Sequence, residues 1–317
     1  MIAVHLEDGR VGVRAVPRPR RPEGFALVRP LYAGICNTDL ELQRGYYGFR
    51  GTPGHEFVGE VVEADTRSLV GKRVVGEINL ACNACEWCRK GLGRHCPTRT
   101  VLGIVKHPGA FRELLTLPER NLRLVPASIA NEQAVFVEPL AAACEILDQV
   151  RIPKGAEVAL LGDGKLGLLI AQALQSSALR VHLYGHHKDH LKIAAASGVE
   201  TFFQKNPPAR RYDFTMDATG SPAGLAQAIA MTRPRGTVIL KSTVHGLAPL
   251  DTAPVIVDEI TLVGSRCGRF EPALRLLKTG KVRVDALISD VFDLRDAPRA
   301  FARAAEPGVL KVLLRIP

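Results

Sequence analysis

The 317-residue chain is 46% hydrophobic and 23% charged, as expected of an ordinary globular protein of about two domains. No apolar run approaches the roughly 20 residues of a membrane span, and the opening MIAVHLEDGRVGVRAV has acid and glycine where a secretory signal needs an apolar core, so the expected location is cytoplasmic. The formal charge is +10, but Arg and Lys are scattered, and the one dense cluster, PRPRRPEG at 17–24, sits among prolines like a surface loop, which favours an anionic small molecule over nucleic acid as partner.

Residues 1–128 alternate short β-type runs (VGVRAV, FALVRPLYAG, FVGEVVEA, KRVVGEI, FRELLTL) with Gly/Pro turns, which predicts a mostly β module. The pattern changes near residue 130, where NEQAVFVEPLAAACEILDQV has helical apolar spacing. There follow the strand pattern VALLG (158–162), a glycine-rich turn, the helix pattern LGLLIAQALQ, the strand RVHLYG and a helix through Lys188–Ser197. YDFTMDATG (212–220), LAQAIAM, TVILK (237–241) and ITLVGS (260–265) continue the series. Strands alternating with helices imply βαβ units and a parallel sheet. From about residue 285 the tail ISDVFDLRDAPRAFARAAEPGVLKVLLRI mixes a strand, a helix and a last strand. The expected fold is therefore α/β, with residues 1–128 and 285–317 in one domain and a doubly wound parallel sheet over 129–284.

LLGDGKLGLL sets Gly162, Gly164 and Gly167 as G-x-G-x-x-G between a strand and a helix. The first glycine permits the tight turn, the second lets backbone approach a pyrophosphate, and the third lets helix and strand pack closely. The phosphates then lie at the positive end of the helix begun by Lys165 and Leu166. NAD sites usually end the next strand with an acid that binds the ribose hydroxyls. Here Gly185 is followed by His186, His187 and Lys188, small and basic residues that suit a 2′-phosphate and favour NADP over NAD; Asp189 stands too far along the next helix. The plain alternative is a solvated basic turn. Asp163 inside the loop should repel a pyrophosphate, a charge that Lys165 can offset.

Seven cysteines, an odd number with no secretory signal, favour reduced thiols over a disulfide framework. Cys82, Cys85, Cys88 and Cys96 are spaced C-x2-C-x2-C-x7-C. Four thiolates close a tetrahedral Zn²⁺ shell with no open position, which makes a structural site. An Fe–S cluster also takes four cysteines but in other usual spacings. Upstream, GICNTDL supplies Cys36 and GHEFVGEV supplies His55 and Glu56; downstream, VEPLA supplies Glu138. Singly, such residues are more often core than ligand. Together they make a mixed S/N/O set suited to a catalytic zinc with an exchangeable position.

With GICNTD, GHEFVGEV, the four-cysteine lobe, VEPLA, GDGKLG, DATG and a C-terminal strand in this order, the chain resembles the zinc-dependent medium-chain dehydrogenase/reductases over essentially its whole length. VEPLA is similar to the polyol, threonine and glucose dehydrogenase branch, where Glu stands in place of the Cys of simple alcohol dehydrogenases. The resemblance implies a Rossmann-type dinucleotide domain beside a mostly β, GroES-like catalytic domain that carries a structural zinc lobe. It implies two zinc ions per chain. Cys36 and His55 would ligate the catalytic ion, Glu56 and Glu138 would each be either a ligand or a partner of its water, and the four cysteines would hold the structural ion. Thr38 is implied to bind the substrate hydroxyl and take its proton, Asp39 to orient a zinc ligand, and Asp217 and Thr219 to lie near the cofactor. The implied reaction is reversible hydride transfer between NAD(P) and an alcohol of polyol, sugar or amino-alcohol type, giving a ketone or aldehyde. The implied partners are that small molecule and further copies of the chain, as a homodimer or homotetramer paired through the edge ITLVGS, with no membrane and no nucleic acid.

The chain also departs from the family pattern. Many members carry a His five residues after the first cysteine as the outer end of a proton relay; this chain has Glu41, which can serve as the base or leave the task to water. Lys241 ends TVILK where an apolar residue is usual, and is expected to face either the cofactor or solvent. Tyr46, Tyr47 and Phe49, just before His55, either line a substrate cleft or pack under their loop. Cys144 and Cys267 are expected to be buried free thiols. One competing reading is a zinc-independent quinone or enoyl reductase, which would lack Cys36, His55, Glu56 and Glu138. Another is a non-catalytic cofactor-sensing or nucleic-acid-associated protein, which has no use for an open metal site.

Overall fold

The computed structural model describes residues 1–204, 206–242 and 249–317. They form two compact units, Met1–Glu138 with Leu287–Pro317, and Pro139–Ala286. The break follows Glu138, where the sequence suggested residue 128. The short helix Asn131–Ala134 lies against the strands Phe25–Gly34 and Glu56–Glu63, and Val135, Phe136 and Val137 are fully buried, so this stretch packs as part of the first unit.

The first unit is built on a seven-stranded sheet. Its central strand Phe25–Gly34 pairs antiparallel with Glu56–Glu63 on one side and with the C-terminal strand Lys311–Arg315 on the other. Gly34 pairs with Glu56 and with Leu313, so the register sets the end of Phe25–Gly34 beside the start of Glu56–Glu63 and the middle of Lys311–Arg315, just before Cys36. A small separate sheet of Asn79–Leu80, Thr100–Leu102 and Lys106–His107 carries the cysteine-rich segment.

The second unit is a six-stranded, wholly parallel sheet. In space its strands run Glu200–Phe203, Arg180–Gly185, Glu157–Leu161, Tyr212–Asp217, Thr232–Leu240 and Thr261–Gly264. The order reverses between Glu157–Leu161 and Tyr212–Asp217, and in such sheets ligands bind outside the carboxyl ends of the strands at that reversal. Val158, Ala159 and Leu160 are fully buried, as are most side chains of the helix Lys165–Gln175, so both read as continuous apolar runs. Within this core His182 Nδ1 lies 2.9 Å from the Tyr212 hydroxyl, which lies 2.8 Å from the Tyr184 hydroxyl, a buried polar chain that satisfies itself. The segment ITLVGS contributes Thr261–Gly264, which with Glu200–Phe203 forms the two edges of the sheet among the described residues.

Candidate active site and dinucleotide loop

Cys36 stands at the cap of the helix Asn37–Gln43. Asp39, in the first turn, is fully buried and spends both carboxylate oxygens on backbone: Oδ2 accepts the Cys36 N–H at 2.8 Å and Oδ1 accepts the Gly54 N–H at 3.1 Å. One side chain thus fixes the residue that carries the thiol and the residue before His55. Gly54 has φ +100°, and a Cβ there would fall 2.5 Å from the Phe111 ring, so no other residue fits the turn that presents His55.

His55 Nδ1 lies 3.5 Å from Asp39 Oδ1, an electrostatic contact rather than a hydrogen bond, and is a buried ring nitrogen with no hydrogen-bond partner. Burial pushes the imidazole down, but the Asp39 charge and the neighbouring Cys36 outweigh it and hold His55 well above its ordinary value. Glu56, fully buried, gives Oε2 to the ammonium of Lys311 in a short ion pair, while its Oε1 is buried without a partner. Lys311 is itself 1% exposed; burial pushes its ammonium down, but the charges of Glu56 and Cys36 hold it above its usual range. A Cβ at Gly34 would fall 2.7 Å from Glu56 Oε2 and 3.2 Å from the Lys311 side chain, so the bare glycine makes room for the pair.

The donor atoms of Cys36, His55 and Glu56 all lie within 4.8 Å of one another. Donors sharing one zinc ion at bond lengths of about 2.0–2.3 Å are at most about 4.6 Å apart. A thiol, an imidazole and a carboxylate with an oxygen left without a partner, brought to this spacing, fit a metal ion. Glu138, half-buried at the start of the helix Val137–Gln149, is outside this three-residue group. Half-buried Thr38 places its hydroxyl 3.8 Å from the Cys36 sulfur. Glu41 pairs with Arg44 at 2.6 Å, one turn along the same helix. The rings of Tyr46 and Tyr47 lie 4.1 Å apart, and Tyr47 is 68% exposed, so it does not pack under its loop.

Lys311 is the functional candidate that sequence reasoning missed. The available signal was a lysine opening the otherwise apolar strand KVLLR.

The four cysteine sulfurs form a compact group, with Cys82–Cys96 and Cys85–Cys88 at 3.5 Å, Cys85–Cys96 at 3.8 Å and Cys82–Cys88 at 3.9 Å. All four are free thiols. A tetrahedron of sulfurs about 2.3 Å from zinc has edges of about 3.8 Å, so the arrangement fits a closed ZnS₄ shell and is far from the roughly 2.05 Å of a disulfide. Backbone N–H groups of Ala84 and Cys85 bring the Cys82 thiol down to about 6, which prepares it as a thiolate donor.

In the second unit the glycine loop lies between the strand Glu157–Leu161 and the helix Lys165–Gln175. Gly162 has φ +103° and approaches the Ala218 carbonyl, while a Cβ at Gly167 would fall 1.9 Å from the Gly162 oxygen. Gly164 caps the helix, and nothing lies within 4 Å of where its Cβ would be, which leaves room beside the start of the helix for a pyrophosphate. Lys165 and Leu166 form the half-buried first turn of that helix. Asp217 Oδ1 accepts the Thr219 N–H at 2.9 Å and the Thr219 hydroxyl at 2.7 Å, closing the turn after Tyr212–Asp217.

Asp163 does not face the phosphate side of its loop. Its Oδ2 accepts the N–H of His186 at 2.9 Å and of His187 at 2.7 Å, and its Oδ1 lies 3.1 Å from His187 Nδ1. His190 Nδ1 donates to the Asp163 carbonyl at 2.9 Å. Lys188, exposed, carries its ammonium over the Phe203 ring at 5.1 Å. Lys241 departs from both of its expected positions. It is buried, and its ammonium donates to Ala142 O at 2.6 Å, Arg266 O at 3.0 Å and Ser265 Oγ at 3.1 Å. Cys144 is buried and its thiol is pushed up to about 11 by burial, whereas Cys267 is only half-buried.

The family descriptions "Alcohol dehydrogenase GroES-like domain" and "Zinc-binding dehydrogenase" match residues 22–127 and 166–279. The chain is 29% identical to D-altritol 5-dehydrogenase of Agrobacterium fabrum, over 97% of each protein. It is 28% identical to D-arabinitol dehydrogenase 1 of Uromyces fabae, over 91% of this chain and 89% of that protein. The solved structure of the alcohol dehydrogenase TADH from Thermus sp. ATN1 superposes with a TM-score of 0.91 at 29% identity, covering 100% of both chains.

Proposed function

We propose the activity from one premise: this chain belongs to the zinc-type alcohol dehydrogenase family. It is an oxidoreductase that interconverts an alcohol and its carbonyl compound with a nicotinamide dinucleotide. Similarity to altritol and arabinitol dehydrogenases, over nearly the whole chain, supports a polyhydroxylated alcohol as substrate. The observation that carries the reading is the group of Cys36, His55 and Glu56, whose donor atoms lie within 4.8 Å of one another.

Cys36 and His55 hold one zinc ion, with Glu56 as third ligand or partner of its water, and Cys82, Cys85, Cys88 and Cys96 hold a second. The first ion supplies Lewis acidity toward an alcohol or carbonyl oxygen, and the nicotinamide supplies or takes the hydride. The chain does the rest. Thr38, beside the Cys36 sulfur, receives the substrate proton. Asp39 keeps Cys36 and the loop before His55 in register. Glu138, outside the three-residue group, is either a further ligand or a partner of the bound water. Gly162, Gly164 and Gly167 seat the pyrophosphate at the start of Lys165–Gln175. The protein acts in the cytoplasm as a homodimer or homotetramer paired along Thr261–Gly264.

Cys36→Ser and His55→Ala are each expected to lower turnover of a polyol panel at least about 1000-fold and to remove one of two zinc ions, leaving ADP binding intact. Metal content, nucleotide binding and turnover are read on the same samples. Full turnover in a variant that has lost that ion would overturn the reading.

A further inference from the structure

We propose that Asp163 makes this enzyme select NAD over NADP, by occupying from the glycine loop the place that a 2′-phosphate would need. The inference rests on the dinucleotide reading above and reverses the preference that the sequence suggested.

A 2′-phosphate lies beyond the carboxyl end of the second strand of such a sheet, here Arg180–Gly185, and is held by N–H donors and cations at that tip. The tip residues are His186, His187 and Lys188. The backbone N–H groups of His186 and His187 both end on Asp163 Oδ2, at 2.9 and 2.7 Å. The His187 imidazole meets Oδ1 at 3.1 Å. Lys188 is drawn aside over Phe203. Both backbone donors of the tip and the His187 imidazole are thus committed to a carboxylate of the protein.

Gly185 has the same cause. A Cβ there would fall 2.4 Å from Asp163 Oδ2, so Gly185 is small because Asp163 fills the space beside it. From sequence alone the small residue reads as room for a phosphate; in the structure that room is taken.

The carboxylate is charged. Burial pushes it up, but the N–H and imidazole of His187 outweigh burial and hold it below the usual carboxylate range. A dianionic phosphate brought to the same N–H pair would meet this buried anion and would have to break two charge-assisted hydrogen bonds. NAD brings only ribose hydroxyls, which a carboxylate can accept from. Ordinary NAD sites place their acid at the strand end; here an acid reaches the same place from 23 residues upstream.

The test is equilibrium binding of ADP-ribose and of 2′-phospho-ADP-ribose to the full-length protein. The wild type is expected to bind ADP-ribose at least about 100-fold more tightly, about tenfold for each hydrogen bond the phosphate displaces. Asp163→Ala frees the two N–H groups and is expected to narrow the ratio at least about tenfold, through tighter binding of the phosphorylated ligand. Asp163→Asn keeps the shape and removes the charge, so it gives the same direction of change should the alanine variant fold poorly. Equal binding of the two ligands by the wild type, or an unchanged ratio in a folded variant, overturns the proposal. A wild type that binds neither ligand overturns the dinucleotide reading itself, and this inference with it.

Discussion

At the residue scale the pair Glu56–Lys311 shows how a charge is kept in a core. Neither side chain is more than 1% exposed, and each is tolerable there only because the other is present. Replacing one partner leaves an uncompensated buried charge, which typically costs about 3–5 kcal/mol. Lys311→Met is therefore expected to destabilise the metal-free protein by about that amount in urea unfolding, and the double variant Lys311→Met/Glu56→Gln to regain most of it. A single variant as stable as the wild type would mean that Glu56 is satisfied in some other way. Lys241 is the neutral-acceptor counterpart: its ammonium is held by two carbonyls and a hydroxyl, so it serves the packing of its own unit.

At the element scale, the small sheet around the cysteine lobe has strands of two or three residues and cannot hold itself by ladder hydrogen bonds alone. Its last strand ends in His107, whose Nε2 lies 2.9 Å from the Thr116 carbonyl. Burial, with help from the charge of Arg112, holds this imidazole below its ordinary 6.5, despite the opposing bond to Thr116. A lowered folded-state value means that the unfolded chain takes the proton first as pH falls. The contribution of neutral His107 is fully present above about 6.5 and is lost as pH drops from there toward the folded-state value. The urea midpoint is expected to fall between about pH 7.5 and about pH 5.5, and to fall less in His107→Gln. Identical pH profiles for the two proteins would remove His107 as a cause.

At the scale of the whole molecule, Thr261–Gly264 is an edge strand with Leu262 exposed, and Ile256 and Val257 of the preceding helix are 72% and 75% exposed. An unpaired apolar edge of this kind invites pairing with its own copy. Leu262→Lys is expected to convert a dimer to a monomer in sedimentation equilibrium; a wild type that sediments as a monomer would exclude this edge as an interface.

The same scales separate what could be read from the chain. The four-cysteine site, the glycine loop and the alternation of strands and helices are legible because each depends on spacing within a short stretch or on a repeating pattern of side chains. Those features follow from local geometry: thiolates a few residues apart can reach one ion, and a glycine turn between strand and helix exposes N–H groups wherever it occurs. Lys311, Lys241 and Asp163 were not legible in this way. Lys311 meets a partner 255 residues away and Lys241 one 99 residues away, and a buried charge has no preferred direction until the fold supplies its acceptor. Asp163 is visible in the loop, but only the approach of the strand end at Gly185 brings its carboxylate onto the N–H groups of His186 and His187. By itself the sequence determined the fold class, the candidate ligands and the reaction type, because these rest on local spacing. The tertiary structure alone decided which charges neutralise one another and which donors remain for a ligand, because those depend on distances between segments far apart in the chain.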